Sequence, residues 1–167
     1  MASTGEVGCI GHQFEDAVLL SMEASGVHIP KKGILFSCGR QHQGSKLLQI
    51  FDQLSSLNLP MYATPGTAAF FREHKRSLNT LARDDENKSF DSVFQALHEG
   101  KFDLLINIPK GTQAEDVTFG AKLRQKSIRF GCSLLTNLEK AQSFSQAANV
   151  LPNFSANHEL IPLSPYQ

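Results

Sequence analysis

Apolar positions along this chain change their spacing in a repeating order. Ile34-Leu35-Phe36 is a short buried run over 33–37, the pattern of a strand. Leu47, Ile50, Phe51 and Leu54 follow at helical spacing, with Ser45 placed to cap them. Leu59, Met61 and Ala63 return to every second position. Ala68, Ala69, Phe70 and Phe71 then supply one face of a short helix over 65–74, and 77–82 carries weaker strand signals. Phe90, Val93, Phe94 and Leu97 form the cleanest amphipathic stripe, predicted to begin after Ser89 and stop at Gly100, which suits a helix C-terminus. Within Asp103 to Ile108, Leu104-Leu105-Ile106 is a continuous apolar run that Asn107 interrupts before Ile108, as in a strand covered on both faces. A loop over 109–116 leads to a helix over 117–130, a strand at 133–135, a Thr136-Asn137 cap and a last helix marked by Leu138, Ala141, Phe144 and Ala148.

Strands alternating with helices predict an α/β fold: a three-layer, Rossmann-like sandwich of about five mostly parallel strands. The first thirty residues differ in texture. Gly5, Gly8 and Gly11 break them into turns before Phe14, Ala17, Val18 and Met22 mark a helix face ending near Gly26. The expected organisation is therefore a connector with a short helix (1–30), a main domain (31–150) and an irregular tail (151–167) carrying Pro152, Pro162 and Pro165.

In such sheets ligands bind beyond the carboxyl ends of the strands. Those ends carry Ser37, Thr64, Thr67, Asn107 with Lys110 and Thr112, and Thr136 with Asn137, all able to hold an anion. Thr64-Pro65-Gly66-Thr67 sits where a strand opens into a helix, which exposes unpaired N–H groups and a partial positive charge. By itself the motif fits either an anion cradle or a plain cap with Pro65 at the first helical position.

Charge narrows the partners. Sixteen basic and sixteen acidic residues balance, leaving no electrostatic footprint for nucleic acid or a membrane surface. No apolar run approaches the roughly 20 residues that cross a bilayer. Cys9, Cys38 and Cys132 are far apart, with no CxxC pair or zinc spacing, which favours a reducing compartment and no metal site. Catalytic chemistry is hard to find. Gly39-Arg40-Gln41-His42-Gln43-Gly44 lacks the GK[ST] ending of a phosphate loop, and neither GxSxG nor HExxH occurs. Of six histidines only His42 falls near the predicted pocket, and the nearest carboxylates, Asp84, Asp85, Glu115 and Asp116, read as polar loops. The residues thus point to a binding module for a small anion, with an enzyme using loop carboxylates as the other class.

Particular segments then resemble one family. Met1-Ala2-Ser3-Thr4-Gly5-Glu6-Val7 resembles the M-x-S-T-G-E-V signature of carbamoyl-phosphate synthetase large subunits, and Ile29-Pro30-Lys31-Lys32-Gly33-Ile34-Leu35 their connector. Ala63-Thr64-Pro65-Gly66-Thr67 is similar to the A-T-x-G-T segment of their C-terminal methylglyoxal-synthase-like domain. Phe102 to Pro109 is similar to its I-D-L-V-I-N-L-P, and Leu134-Leu135-Thr136-Asn137 with Ala141 and Phe144 to its closing motif. The resemblance covers roughly residues 1–150 in order.

It implies a Rossmann-like domain that binds an allosteric effector and tunes the ATP-dependent ligase upstream, with no cofactor of its own and ATP and magnesium used by the parent enzyme. The family's effector residues carry over to Thr64, Gly66, Thr67 and Asn107, with Ser37 and Lys46 around the first strand. Arg83 stands about where ammonia-using mitochondrial forms have a tryptophan for N-acetylglutamate, and Lys110 in place of an asparagine. Pyrimidine-pathway forms take nucleotides instead. The texture of 134–144 is nearer the mitochondrial branch, which implies the mitochondrial matrix, with the cytoplasm as the alternative. Stand-alone methylglyoxal synthases, lyases acting on dihydroxyacetone phosphate, carry G-G-D and P-H-D-P-D motifs. This chain has Asp84-Asp85-Glu86-Asn87 and Lys110-Gly111-Thr112-Gln113 in those regions.

Overall fold

The computed structural model describes residues 7–82, 92–109 and 114–150, of which 114–118 by backbone alone. The strands are β1 (Ile34–Cys38), β2 (Met61–Ala63), β3 (Asn79–Thr80), β4 (Leu104–Ile108) and β5 (Ser133–Leu135), the two long apolar runs forming β1 and β4. They make one sheet in the order β3-β2-β1-β4-β5. Every pairing is parallel. Helices α1 (Phe14–Ala24), α2 (Ser45–Ser55), α3 (Pro65–Glu73), α4 (Val93–His98), α5 (Ala114–Arg129) and α6 (Leu138–Asn149) cover both faces. The chain runs outward from β1 to β3, then returns to β4 on the other side, so β1 and β4 meet at the point where the winding reverses.

Alternation along the strands divides the core in two. Ile34, Phe36, Leu104 and Ile106 pack with Leu47, Ile50, Phe71 and Phe144 from the helices α2, α3 and α6. Leu35 and Leu105 pack on the opposite face with Val93, Leu97, Phe119 and Leu123 from α4 and α5. Both strands are buried along their whole length, which is why Ile34-Leu35-Phe36 and Leu104-Leu105-Ile106 read as continuous apolar runs. Phe36, Phe51 and Phe71 form an aromatic cluster, with Phe36 and Phe71 edge to face at 5.3 Å.

The connector is tied into this body. Leu19 of α1 joins the first core with Val18 and Met22 against it. The Asp103 carboxylate accepts the N–H groups of Lys31, Lys32 and Gly33, and the Ser133 hydroxyl that of His28.

Several local expectations change. Phe14 is 71% exposed; it opens α1, and the stripe that meets the core runs through Val18, Leu19 and Met22. Ser45 is the first helical residue of α2 and caps nothing: the extended residue before it is Gly44, whose carbonyl accepts the Leu47 N–H. The helix with the clean stripe starts at Val93, where the Ser92 hydroxyl accepts the Gln95 N–H at 3.1 Å. Ser89 and Phe90 lie outside the described residues, as does the tail from 151 to 167. At the far end of α4 Gly100 has φ +66°, the left-handed conformation expected of a glycine closing a helix. The strand expected over 77–82 shrinks to Asn79–Thr80 on the sheet edge, and α5 begins at Ala114.

Phe71→Ala should lower the unfolding free energy by about 3–5 kcal/mol, the cost of emptying a fully buried aromatic site. Phe14→Ala should move it by no more than about 0.5 kcal/mol. Urea unfolding midpoints of the two variants decide both.

Candidate functional site

At the reversal point the sheet stops pairing before the strands end. β2 is in register with β1 only from Met61 to Ala63, and then turns into α3. Cys38, at the end of β1, has therefore lost its neighbour on that side. Thr67 from the first turn of α3 takes its place: its Oγ1 accepts the Cys38 N–H at 3.0 Å and donates to the Cys38 carbonyl at 3.2 Å.

That use of Thr67 settles its neighbour. The one hydroxyl proton of Thr67 is committed, so in the 3.3 Å contact between the two hydroxyls Thr64 donates. Thr64 occupies the N-cap position and Pro65 the first helical position, as the sequence suggests, yet the Thr64 hydroxyl caps no N–H. Pro65 has no N–H, and those of Gly66 and Thr67 have no acceptor within the helix. Thr64 is only 3% exposed, and a Cβ placed on Gly66 would meet nothing within 4 Å. A hydroxyl held by one long bond and two helical N–H groups thus border open space.

Across the sheet Ser37 and Asn107 are register partners on the α5 face. Asn107, 3% exposed, donates from Nδ2 to the Ser37 carbonyl at 3.3 Å and accepts from Nη1 of Arg124 at 2.7 Å. Between these groups lies a cleft of about 210 Å³, lined by the two β-strand ends, the start of α3, Phe119 and Gly120 of α5, and Arg40 and Gln43 of the loop after β1. It is smaller than the roughly 300–1,000 Å³ of a pocket for a drug-sized ligand. A phosphoryl or carboxylate group fits that scale, with the rest of a larger ligand outside.

The cleft collects Ser37, Thr64, Gly66, Thr67 and Asn107. Lys46 is elsewhere: its Nζ lies 3.5 Å from Glu139 Oε1, because α2 packs beside α6 and turns the lysine toward the helix start there. His42 stands in the short 3-10 turn after β1 and does not line the cleft. Arg83 and Lys110 fall outside the described residues, as do Asp84 and Asp85 and the side chains of Glu115 and Asp116. Arg40 and Gln43 carry no individual signal in the sequence, where their loop lacks the ending of a phosphate loop and the family resemblance singles out Ser37 and Lys46 on either side of it. Gln43 Nε2 donates to the Cys38 carbonyl at 3.1 Å, closing the floor. Arg40 is the only cationic side chain among the described lining residues. Arg124 carried no signal, being seventeen residues from its partner on a different element.

Cys38 meets the cleft as a buried, protonated thiol. Burial pushes its thiol up to about 12, and Cys132 rises to about 12 through burial and then the nearby Asp103 carboxylate.

A family model described as the MGS-like domain matches residues 46–136. The chain belongs to the MGS-like domain family. This MGS-like domain is 36% identical over 155 residues to the multifunctional protein URA2 of Saccharomyces cerevisiae, a match covering 88% of the chain and 7% of URA2. It is 30% identical over 164 residues to the multifunctional protein CAD of Squalus acanthias, covering 90% of the chain and 7% of CAD. The mitochondrial carbamoyl-phosphate synthase [ammonia] of Rattus norvegicus is 30% identical over 150 residues, covering 88% of the chain and 10% of the synthase. The domain thus spans a tenth or less of these relatives.

Thr67→Val should cost about 1–3 kcal/mol, because it takes the acceptor from the buried Cys38 N–H and leaves the Cys38 carbonyl to Gln43 alone. Thr64→Val removes one long contact and should cost less than about 1 kcal/mol. Chemical denaturation separates the two threonines. In the folded chain the two buried thiols favour their protonated form. Their contribution is complete below pH 9, the unfolded value, and disappears as pH rises toward 12. Unfolding free energy should therefore fall across that window, and fall less in Cys38→Ala.

Proposed function

We propose that this MGS-like domain is the regulatory domain of a carbamoyl-phosphate synthetase, and that its cleft takes a small anionic effector controlling ATP-dependent carbamoyl phosphate synthesis upstream. The observation that carries the reading is the donor-rich lining at the strand ends. The Thr64 hydroxyl, the free N–H groups at the start of α3, the Asn107 amide and Arg40 converge on one small cleft, whose described lining holds no histidine and one cysteine, a thiol that burial pushes up to about 12. A helix N-terminus favours an anion by about 0.3–1 kcal/mol, and more in a partly buried setting. An arriving anionic oxygen accepts the hydrogen bond that the Thr64 hydroxyl now donates to Thr67 over a long contact, at small cost.

The likeness to the named synthase and multifunctional proteins supports the placement within a larger enzyme whose other domains are the natural partners. N-acetylglutamate and nucleotides are the two effector classes. ATP and magnesium belong to the upstream domains. The mitochondrial matrix goes with the ammonia-using branch and the cytoplasm with the multifunctional one. An effector acts only by binding two conformations of the enzyme with different affinity.

A thermal-shift panel of N-acetylglutamate, UMP, UTP, IMP and inorganic phosphate tests the reading. A ligand at 100 times its dissociation constant should add about 2.7 kcal/mol of stability. Thr64→Val and Arg40→Met should each weaken that ligand by about tenfold, a loss of about 1.4 kcal/mol. A folded sample that responds to none of the five overturns the effector reading. Phosphate release from dihydroxyacetone phosphate would reassign the domain as a lyase.

A further inference from the structure

Asn107 is the polar residue that interrupts a fully buried strand, and its amide has two ways to lie. With the oxygen toward the cleft it would offer an acceptor and repel an anion. With the nitrogen toward the cleft it offers a donor. Two fixed neighbours choose between them. The Ser37 carbonyl can only accept, and it takes one N–H of Nδ2 at 3.3 Å. Arg124 can only donate, and its Nη1 lies 2.7 Å from Oδ1. Turning the amide over would face donor with donor and acceptor with acceptor. The second N–H of Nδ2 is then the hydrogen that Asn107 has left to give.

The chain builds a passage for this arginine. Arg124 and Gly120 are one turn apart on α5, and a helical side chain leans back toward the N-terminus, over the turn before it. A Cβ added at Gly120 would stand 3.1 Å from Arg124 Nη1 and 3.7 Å from Asn107 Oδ1. Glycine in a helix interior lowers helix stability relative to alanine. Here its missing side chain leaves the guanidinium a path across the helix to the end of β4.

We propose that Arg124 is a positioning residue for the anion site. Passing over Gly120, it holds the Asn107 amide with its nitrogen toward the cleft, so that the site presents donors and selects ligands with an acceptor oxygen at that point. The charge on the guanidinium strengthens its bond to Oδ1, as charge-assisted hydrogen bonds are the stronger kind. The assignment rests on the anion-binding reading of the cleft, and its test separates the two.

The experiment is an NMR titration of the isolated chain with inorganic phosphate, following the side-chain amide of Asn107 in the native sequence, in Arg124→Met, Asn107→Ala, their double variant and Gly120→Ala. In the native chain the two Asn107 Nδ2 protons should be separate and protected from exchange. Arg124→Met should collapse that separation and weaken phosphate by about tenfold. Added to Asn107→Ala it should weaken phosphate by less than twofold further, since it acts through the amide. Gly120→Ala should weaken phosphate while leaving the melting temperature unchanged or raised, which a general loss of folding would not do. Additive losses in the double variant, or unchanged Asn107 signals and affinity in Arg124→Met, overturn the proposal. If the native chain binds no phosphate, the anion reading fails there, and the Asn107 amide signals with and without Arg124 still decide whether the arginine holds the amide.

Discussion

The hydrogen-bonded pairing of β1 with β4 is the constraint from which the rest of the molecule follows. The two strands run parallel in register from Ile34 with Leu104 to Cys38 with Ile108, and every residue of both is buried. A strand buried on both faces must satisfy every backbone group inside the protein, because an unmade buried hydrogen bond costs about 1–3 kcal/mol. In the middle of the sheet the ladder does this unaided. At the carboxyl end it fails, since β2 leaves for α3 while β1 continues for two residues. Thr67 and Gln43 supply bonds to Cys38, and Asn107 to the Ser37 carbonyl. The polar residues of the cleft are thus first a repair of the sheet's frayed end.

That origin explains how labour is divided among them. Thr67 gives its one proton to the Cys38 carbonyl and accepts the Cys38 N–H, and so belongs to the fold more than to a ligand. Thr64 makes one long contact to its neighbour and has a proton to reassign. Asn107 serves both ends, with one bond to the sheet, one from Arg124, and a hydrogen in reserve. A site assembled this way comes pre-organised, since the groups that face the cleft are positioned by bonds the sheet already needs.

Cations are placed by packing and not by proximity in sequence. Lys46 and Arg40 both follow β1 within a few residues. The lysine sits on α2, which packs against α6, and its ammonium turns to Glu139. The arginine sits in the 3-10 turn on the cleft side and remains at the cleft rim. A substitution pattern that moved charge between these two positions would change the site without changing the net charge.

What the amino-acid sequence determined by itself is the alternation of elements and the strand ends at which the cleft opens. The two-residue spacing at 59–63, the apolar run at 104–108 and the helical stripes at 47–54 and 138–148 each reflect burial, and burial is periodic along the chain. Asn107 was legible because a lone polar residue inside such a run needs a partner. Tertiary structure decided the pairing of partners. That Arg124 meets Asn107, that Thr67 serves Cys38, and that Lys46 turns to Glu139 depend on helices crossing the sheet from distant parts of the chain. Phe14 shows the same limit, since its spacing fits a buried face and its position at the end of α1 leaves it in solvent. Periodicity reports which face of an element is covered. Which residue lies opposite is set by how the elements pack, and no spacing within one element encodes that.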